Sequence, residues 1–209
     1  MLRVGLTGGI ATGKTTVGLM FVNLGCHLID SDQITHHLFE PGQEVHSAVV
    51  QAFGPNIVAA DGTIDRKILG DIVFKDPAAR EKLNGLVHPA VIRRQQEFLG
   101  EVAQKDPQGV GIVSAALMVE IGTYKNYDKV VVVSCPPDEQ RKRLKIRSGL
   151  SDEQIEARIR AQMPMEEKVK CGDFVIDTSE NLAATRRQVE QVNSKLREFA
   201  ANTSGTRRS

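Results

Sequence analysis

The chain has 209 residues, of which 41% are hydrophobic and 25% are charged, the composition of an ordinary globular domain. The formal net charge is +1 and aromatic residues make up 4%, so the composition argues against a nucleic-acid-binding surface. No apolar run approaches the roughly 20 residues of a membrane-spanning helix. Three widely spaced cysteines without a CxxC pair are typical of reduced thiols. We expect one cytoplasmic domain, monomeric or weakly homo-oligomeric, without a nucleic-acid or membrane partner.

Apolar runs alternate with helical periodicity along the chain, which predicts an α/β fold with a parallel sheet. Two central runs are apolar throughout, as expected for strands buried on both faces. The predicted strands are 2–6, 26–29, 110–114, 130–134 and 174–176. Helices are predicted at 14–24, over most of 33–104 with an interruption at 53–62, over 139–170 with a break at 148–149, and at 182–199.

These elements predict a single domain, 1–209, with a core, a helical insertion and a charged helical segment. The expected regions are a core at about 1–32, 105–138 and 171–201, a substrate-binding region at about 33–104, a lid at about 139–170 and a flexible tail at 202–209. The small, polar and basic residues at the end favour the tail.

A glycine-rich loop, the phosphate loop, lies between the first predicted strand and the first predicted helix. Residues 8–15, GGIATGKT, match the pattern G-x-x-x-x-G-K-[ST]. Its glycines allow backbone N–H groups to wrap a phosphate at the positive end of the following helix. Lys14 would reach the β- and γ-phosphates, and the Thr15 hydroxyl would bind Mg²⁺. The expected ATP-binding residues of the loop are Gly9, Ile10, Ala11, Thr12, Gly13, Lys14, Thr15 and Thr16.

The end of the second predicted strand carries two carboxylates, in the stretch LIDSD, residues 28–32. Strand ends line the ligand crevice of open α/β sheets. A carboxylate there would orient an acceptor hydroxyl, accept its proton and hold Mg²⁺. An equally good interpretation is that Asp32 only caps a helix beginning at Gln33. A guanine-specifying N-K-x-D is missing, and the central strands end in Ser114 and Ser134 rather than Asp, which argues against a GTPase or a motor ATPase.

Several stretches together resemble the dephospho-coenzyme A kinase family over nearly the whole chain. They are GLTGGIATGKTTV, IDSD, LNGLVHPAVI, LMVE, QRKRLKIRSGLSDEQIEARIRAQ and DFVIDTSEN. The resemblance implies a three-layer P-loop kinase fold related to nucleoside monophosphate kinases. It also implies transfer of the ATP γ-phosphoryl group, with Mg²⁺, to the ribose 3′-hydroxyl of dephospho-CoA, the last step of coenzyme A biosynthesis.

The resemblance also assigns residue roles. Asp32 takes the role of general base or hydroxyl-orienting group, and His88 falls in the substrate region. Arg143 and Arg147 are i,i+4 neighbours on one helix face and would close over the ATP phosphates. The other interpretation of these arginines is a solvated helix face with pairs such as Glu139–Arg143. Arg158 and Gln162 are weaker candidates, and Lys168 has no assigned role.

Two positions depart from the family pattern. His36 stands where the family usually has Arg, and Ala116 stands where Pro is usual. Both departures concern contacts of the acceptor region more than the reaction class. A kinase of the same fold acting on another acceptor, such as a nucleoside monophosphate, and a nucleotide-dependent switch protein are the rival hypotheses.

Overall fold

A computed structural model of the chain describes residues 1–205, with side chains described as far as 202. These residues form two compact units: unit 1 contains residues 1–29 and the described residues from 99 onward, and unit 2 is Asp30–Phe98. Within the described residues, no helix combines the length and apolar character needed to cross a bilayer.

Five strands and nine α-helices make up the described chain. The strands are β1 (Leu2–Gly8), β2 (His27–Asp30), β3 (Val110–Ser114), β4 (Lys129–Ser134) and β5 (Phe174–Asp177). The helices are α1 (Lys14–Asn23), α2 (Ser31–Leu38), α3 (Glu44–Phe53), α4 (Arg66–Lys75), α5 (Pro77–Lys105), α6 (Pro137–Ser148), α7 (Asp152–Arg160), α8 (Met165–Lys170) and α9 (Leu182–Gly205). Short 3₁₀ helices occupy Pro55–Ile57 and Thr123–Asn126.

The five strands form one sheet in the order β2-β3-β1-β4-β5. β1 is the central strand and pairs in parallel with both β3 and β4, and β4 pairs in parallel with β5. The carboxyl ends of these four strands therefore share one edge of the sheet, where the phosphate loop leaves β1. The predicted α/β fold with a parallel sheet is confirmed.

The core of unit 1 lies where β1, β3 and β4 pack against α1 and α9. Val4, Leu6, Ile112 and Val131 are fully buried in the strands. Each buried Val or Leu side chain contributes roughly 1.5–3 kcal/mol. Every residue of β3 is buried, as predicted from its apolar run. This packed layer holds the strand ends in place, and the loops at those ends are attached to it.

All three cysteines are free thiols, in line with their widely spaced positions in the sequence. Cys26 lies in the core, and burial raises the pKa of its thiol to about 11. Its Sγ lies 3.2 Å from Oδ1 of Asn193 in α9, so the thiol serves as a small packing group with one hydrogen bond.

The insertion after β2 is mostly helical, and its predicted interruption at 53–62 is confirmed. The chain leaves α3 through Gly54 and forms a 3₁₀ turn, and an antiparallel bridge joins Val58 to Ile64 before α4. Asp65 then caps α4, because its carboxylate accepts the backbone N–H groups of Lys67 and Ile68. Pro89 lies inside α5, which remains helical around it.

The charged segment after β4 is three helices rather than one long helix. α6 ends at Ser148, where Gly149 takes a left-handed conformation, as the predicted break requires. Pro164 is the N-cap of α8. α9 continues to Gly205, which places residues 202–205 of the predicted tail within a helix; residues 206–209 lie outside the described residues.

Candidate active site

The phosphate loop joins β1 to α1 and leaves the start of that helix open to a ligand. Gly13 has φ 90° and no side chain caps α1, whose first turn contains no acidic residue. The first N–H groups of a helix have no partner within the helix, and its dipole favours an anion there. Ala11 has φ 59°, a left-handed conformation that is uncommon for a residue other than glycine. The loop therefore has the local geometry of a phosphate site.

Lys14, the first residue of α1, directs its ammonium group toward the end of β3. Its side chain is only 9% exposed, and Nζ donates to Oγ of Ser114 over 2.7 Å. Burial along the stem with a polar partner at the tip keeps the ammonium in a defined place. Thr15 and Thr16, the next two residues, are exposed. Exposure at the start of the helix is compatible with a metal-binding role of Thr15, which stays a prediction.

Two glutamines outside the loop hold the backbone of Ile10. Its N–H donates to Oε1 of Gln162 over 2.7 Å, and its carbonyl accepts from Nε2 of Gln140 over 2.8 Å. Gln140 is 3% exposed and lies in α6, whereas Gln162 lies between α7 and α8. The loop passes so close to Gln140 that a Cβ on Gly9 would lie 2.7 Å from Nε2. Gln162 was a weak candidate from sequence, and Gln140 was not identified there.

Arg143 contacts the same loop through Thr178. Its Nη1 donates to Oγ1 of Thr178 over 2.9 Å and its Nη2 to the Thr178 carbonyl over 2.5 Å. Thr178 Oγ1 donates in turn to the Thr12 carbonyl over 2.7 Å. The guanidinium also lies 3.6 Å from the carboxylate of Glu139, so the ion pair expected for a solvated helix face forms as well. Arg147 is exposed and no contact with the loop is found among the described residues.

A cavity of about 390 Å³ opens beside the loop in unit 1. It is lined by Gly13, Thr16, Val17, Arg143 and Thr178, and by residues 180–182 and 185. Most of the lining residues are polar, with Val17 and Leu182 as the apolar side chains. This mixture beside an arginine and the start of a helix suits a base and sugar attached to a phosphate chain. Sequence reasoning did not identify the 178–185 segment as part of a site, although DTSEN was among the stretches that carried the resemblance.

The thiol of Cys135 lies at the end of β4 beside this cluster. Burial raises its pKa, and the positive charge of Arg143 opposes that shift. A neutral thiol adds no negative charge beside Arg143.

Asp32 lies in the first turn of α2 in unit 2, and it is not the cap of that helix. The helix begins at Ser31, and the Asp30 carboxylate accepts the backbone N–H of Asp32 over 2.8 Å. The expectation that the helix begins at Gln33 with Asp32 as its cap is therefore wrong. The Asp32 side chain is exposed and makes no hydrogen bond to any described residue. Ser31 is held instead by Gln95, whose Nε2 donates to its Oγ over 2.8 Å.

His36 and His88 are also in unit 2. His36 is exposed, and the Arg66 guanidinium lies against its ring. His88 is half-buried in α5, and its ring has no hydrogen-bond partner among the described residues. The role of His88 in substrate binding stays a prediction.

Comparison with known proteins fits this geometry. The family model described as dephospho-CoA kinase matches residues 2–184. A dephospho-CoA kinase of Aquifex aeolicus is 42% identical over 196 residues, covering 94% of this chain and 98% of that protein. One of Geobacter metallireducens is 43% identical over 189 residues, covering 90% and 94%.

The chain belongs to the dephospho-CoA kinase family.

Solved structures agree with this membership. The dephospho-CoA kinase of Campylobacter jejuni is 29% identical with a TM-score of 0.70, covering 94% of this chain and 98% of the other. The protein TT1252 of Thermus thermophilus is 31% identical with a TM-score of 0.78, covering 93% and 97%. A shikimate kinase of Bacteroides thetaiotaomicron, 19% identical with a TM-score of 0.50 and coverages of 93% and 98%, shares the fold alone. The predicted P-loop kinase fold is confirmed.

Ala116, where dephospho-CoA kinases usually have proline, contributes through its backbone. Its carbonyl accepts from Nζ of Lys168 over 2.8 Å and from Oγ1 of Thr7 over 3.3 Å. Proline retains a carbonyl oxygen, so both contacts are independent of the residue type at this position. The departure therefore does not remove either of these two contacts.

Lys168 is fully buried and anchors α8 to the loop after β3. Its Nζ lies 2.9 Å from Oε1 of Glu120, which also accepts the backbone N–H of Met163 over 3.1 Å. Because Met163 follows Gln162 directly, this ion pair supports the glutamine that holds the phosphate loop. Lys168 is therefore a structural cation.

Replacing Lys168 with Met is expected to lower the free energy of unfolding by about 3–5 kcal/mol, because the buried Glu120 carboxylate loses its counter-charge. Urea denaturation would measure the change. The double variant Lys168→Met/Glu120→Gln should recover part of the loss, since it removes both charges. A double variant as unstable as the sum of the two single variants would contradict the pairing.

Proposed function

We propose that the chain transfers the γ-phosphoryl group of ATP to the ribose 3′-hydroxyl of dephospho-CoA, giving coenzyme A and ADP. Family membership supports the choice of acceptor. The observation that carries the proposal is the phosphate loop with the adjoining cavity, which places a helix start, the Lys14 ammonium and the Arg143 guanidinium in unit 1. Three sources of positive potential suit a triphosphate chain.

The loop amides and Lys14 would bind the β- and γ-phosphates of ATP, and the cavity lined by Val17 and Leu182 would take the nucleoside end. Thr15 would hold Mg²⁺, which neutralises charge on the phosphate oxygens when bound. Among the described residues no three His, Cys, Asp or Glu side chains are grouped to hold a metal. A hydroxyl with phosphate oxygens and waters is the ligand set that Mg²⁺ accepts at such sites.

In the transfer step the 3′-oxygen of the acceptor forms a bond to the γ-phosphorus, and the bond from that phosphorus to the β,γ-bridging oxygen breaks. The hydroxyl proton passes to the Asp32 carboxylate, which is exposed and makes no competing hydrogen bond within the described chain. Arg143 would stabilise the charge on the transferred group, and Arg147 would join it when the α6–α8 segment closes. His88 would contact the acceptor.

The test is an assay of ADP release with ATP and Mg²⁺, comparing dephospho-CoA, AMP, CMP and no acceptor. We expect release only with dephospho-CoA, with coenzyme A identified by mass spectrometry. Turnover with AMP or CMP alone would show that the chain is a kinase with a different acceptor. Equal release without an acceptor would refute a kinase and favour a nucleotide-hydrolysing switch.

A further inference from the structure

His36, one helical turn from Asp32 in unit 2, is in contact with an arginine. Asp32 and His36 are four residues apart in α2, so their side chains lie on the same face with Cβ atoms about 5–6 Å apart. Both side chains are exposed. A ligand held by Asp32 would therefore meet His36 and its neighbours with its adjacent group.

The neighbour of His36 is Arg66, the first residue of α4. Its Nη1 lies 3.0 Å from Nδ1 of the His36 ring and also contacts Nε2. The backbone of Arg66 is fixed by its predecessor: the Asp65 carboxylate caps α4, and the Asp65 N–H donates to the Ile57 carbonyl over 2.7 Å. The guanidinium thus projects from a rigid base.

Arg66 has no carboxylate partner among the described residues. Two other arginines of unit 2 do have carboxylate partners: Arg93 bonds Glu44 over 3.1 Å, and Arg94 bonds Glu97 over 2.9 Å. His37 likewise lies 2.9 Å from Glu40. Because no described carboxylate is bonded to Arg66, its guanidinium has donors available to an anionic ligand. A planar guanidinium with several donors matches the oxygens of a phosphate or diphosphate.

We propose that Arg66, together with His36, binds the 5′-diphosphate of the acceptor. The inference rests on the proposed function, in which Asp32 takes the ribose 3′-hydroxyl. In a nucleoside 5′-diphosphate ester only the sugar carbons separate that hydroxyl from the diphosphate, a span that one helical turn matches. The pair of residues would make the acceptor site selective for diphosphate esters over nucleosides, which lack the anionic group.

The first experiment replaces Arg66 with Gln, which removes the charge and keeps a long polar side chain. The KM for dephospho-CoA and its Kd by calorimetry without ATP should both rise about 10- to 100-fold, the effect of losing hydrogen bonds to a charged group. The KM for ATP should change less than about twofold. Arg94→Gln, which removes an arginine already paired with Glu97, is the control and should leave both KM values unchanged.

A second-site rescue separates ligand binding from a structural role of Arg66. Introducing His36→Arg into the Arg66→Gln variant places a new guanidinium at the same spot and should restore most of the affinity for dephospho-CoA. A structural defect at the start of α4 would not be repaired this way. Thermal unfolding of each variant reports folding, and Arg66→Lys, which keeps the charge, provides a milder variant with an intermediate Kd.

An unchanged Kd for dephospho-CoA in Arg66→Gln would overturn the inference, as would an equal rise in the KM for ATP. If the unaltered protein does not phosphorylate dephospho-CoA, the proposed function fails; calorimetry with dephospho-CoA then decides the role of Arg66 by itself. Suppose that Arg66→Gln binds dephospho-CoA more weakly and that adding His36→Arg does not restore the affinity. Arg66 would then act through the fold, which also overturns the proposal.

Discussion

Replacing Asp32 with Asn is expected to lower kcat for dephospho-CoA by a factor of about 10²–10⁴, the usual contribution of a positioned general base. The amide has nearly the shape of the carboxylate but cannot accept the hydroxyl proton. ATP affinity should be nearly unchanged, because the variant keeps Lys14 and the loop amides, which would bind the ATP phosphates. Single-turnover kinetics together with ATP binding by calorimetry would measure both quantities.

Stability measurements distinguish a loss of catalysis from a loss of folding in this variant. The Asp32 carboxylate is exposed and makes no hydrogen bond within the described chain, so Asp32→Asn should unfold at the same urea concentration as the unaltered protein. Asp30→Ala removes the cap of α2 and should cost about 1 kcal/mol. Full turnover in Asp32→Asn would remove Asp32 from the mechanism; loss of ATP binding in that variant would equally contradict the division of roles.

The phosphate loop could be predicted from sequence because everything that defines it is local. Gly13, Lys14 and Thr15 are neighbours in the chain, and the strand before them and the helix after them adjoin the loop directly in sequence. The parallel sheet was predictable for a similar reason, since β3 and β4 are apolar runs buried on both faces. Local residue order determines both features.

The supports of the loop could not be predicted because they come from distant parts of the chain. Gln140 bonds Ile10 across 130 residues, and Thr178 bonds Thr12 across 166. Neither glutamine nor threonine is a residue type that by itself indicates a functional site. The contact of Arg66 with His36 also spans 30 residues, so no spacing pattern connects the two.

The role of Asp32 depended on where one helix begins. A start at Gln33 would make Asp32 a cap, whereas the observed start at Ser31 gives that role to Asp30. Periodicity does not locate a helix end to within two residues, and capping residues such as Asp and Ser follow one another in this stretch. The structure therefore removes the cap interpretation, and the role of Asp32 as general base stays a prediction.

Replacing Lys14 with Met is expected to lower kcat/KM for ATP by a factor of about 10²–10³, comparable to the loss of a donor that stabilises charge in the transition state. Methionine keeps most of the buried volume, but it removes the ammonium that lies 2.7 Å from Ser114. ATP should bind more weakly as well, because the same charge would contact the β- and γ-phosphates before and during transfer. Steady-state kinetics and ATP calorimetry would give the two values.

Two further variants show whether the charge at this particular place matters. Lys195→Met makes the same exchange in α9, where Nζ lies 5.9 Å from the Phe174 ring, and should leave the kinetics unchanged. Lys14→Arg keeps the charge but should not restore the rate, because a planar guanidinium does not fit where a compact ammonium is buried. A loop of this shape binds a triphosphate chain through this cation and the open start of α1. Normal kinetics in Lys14→Met would therefore refute the assignment of this loop as the ATP-binding site.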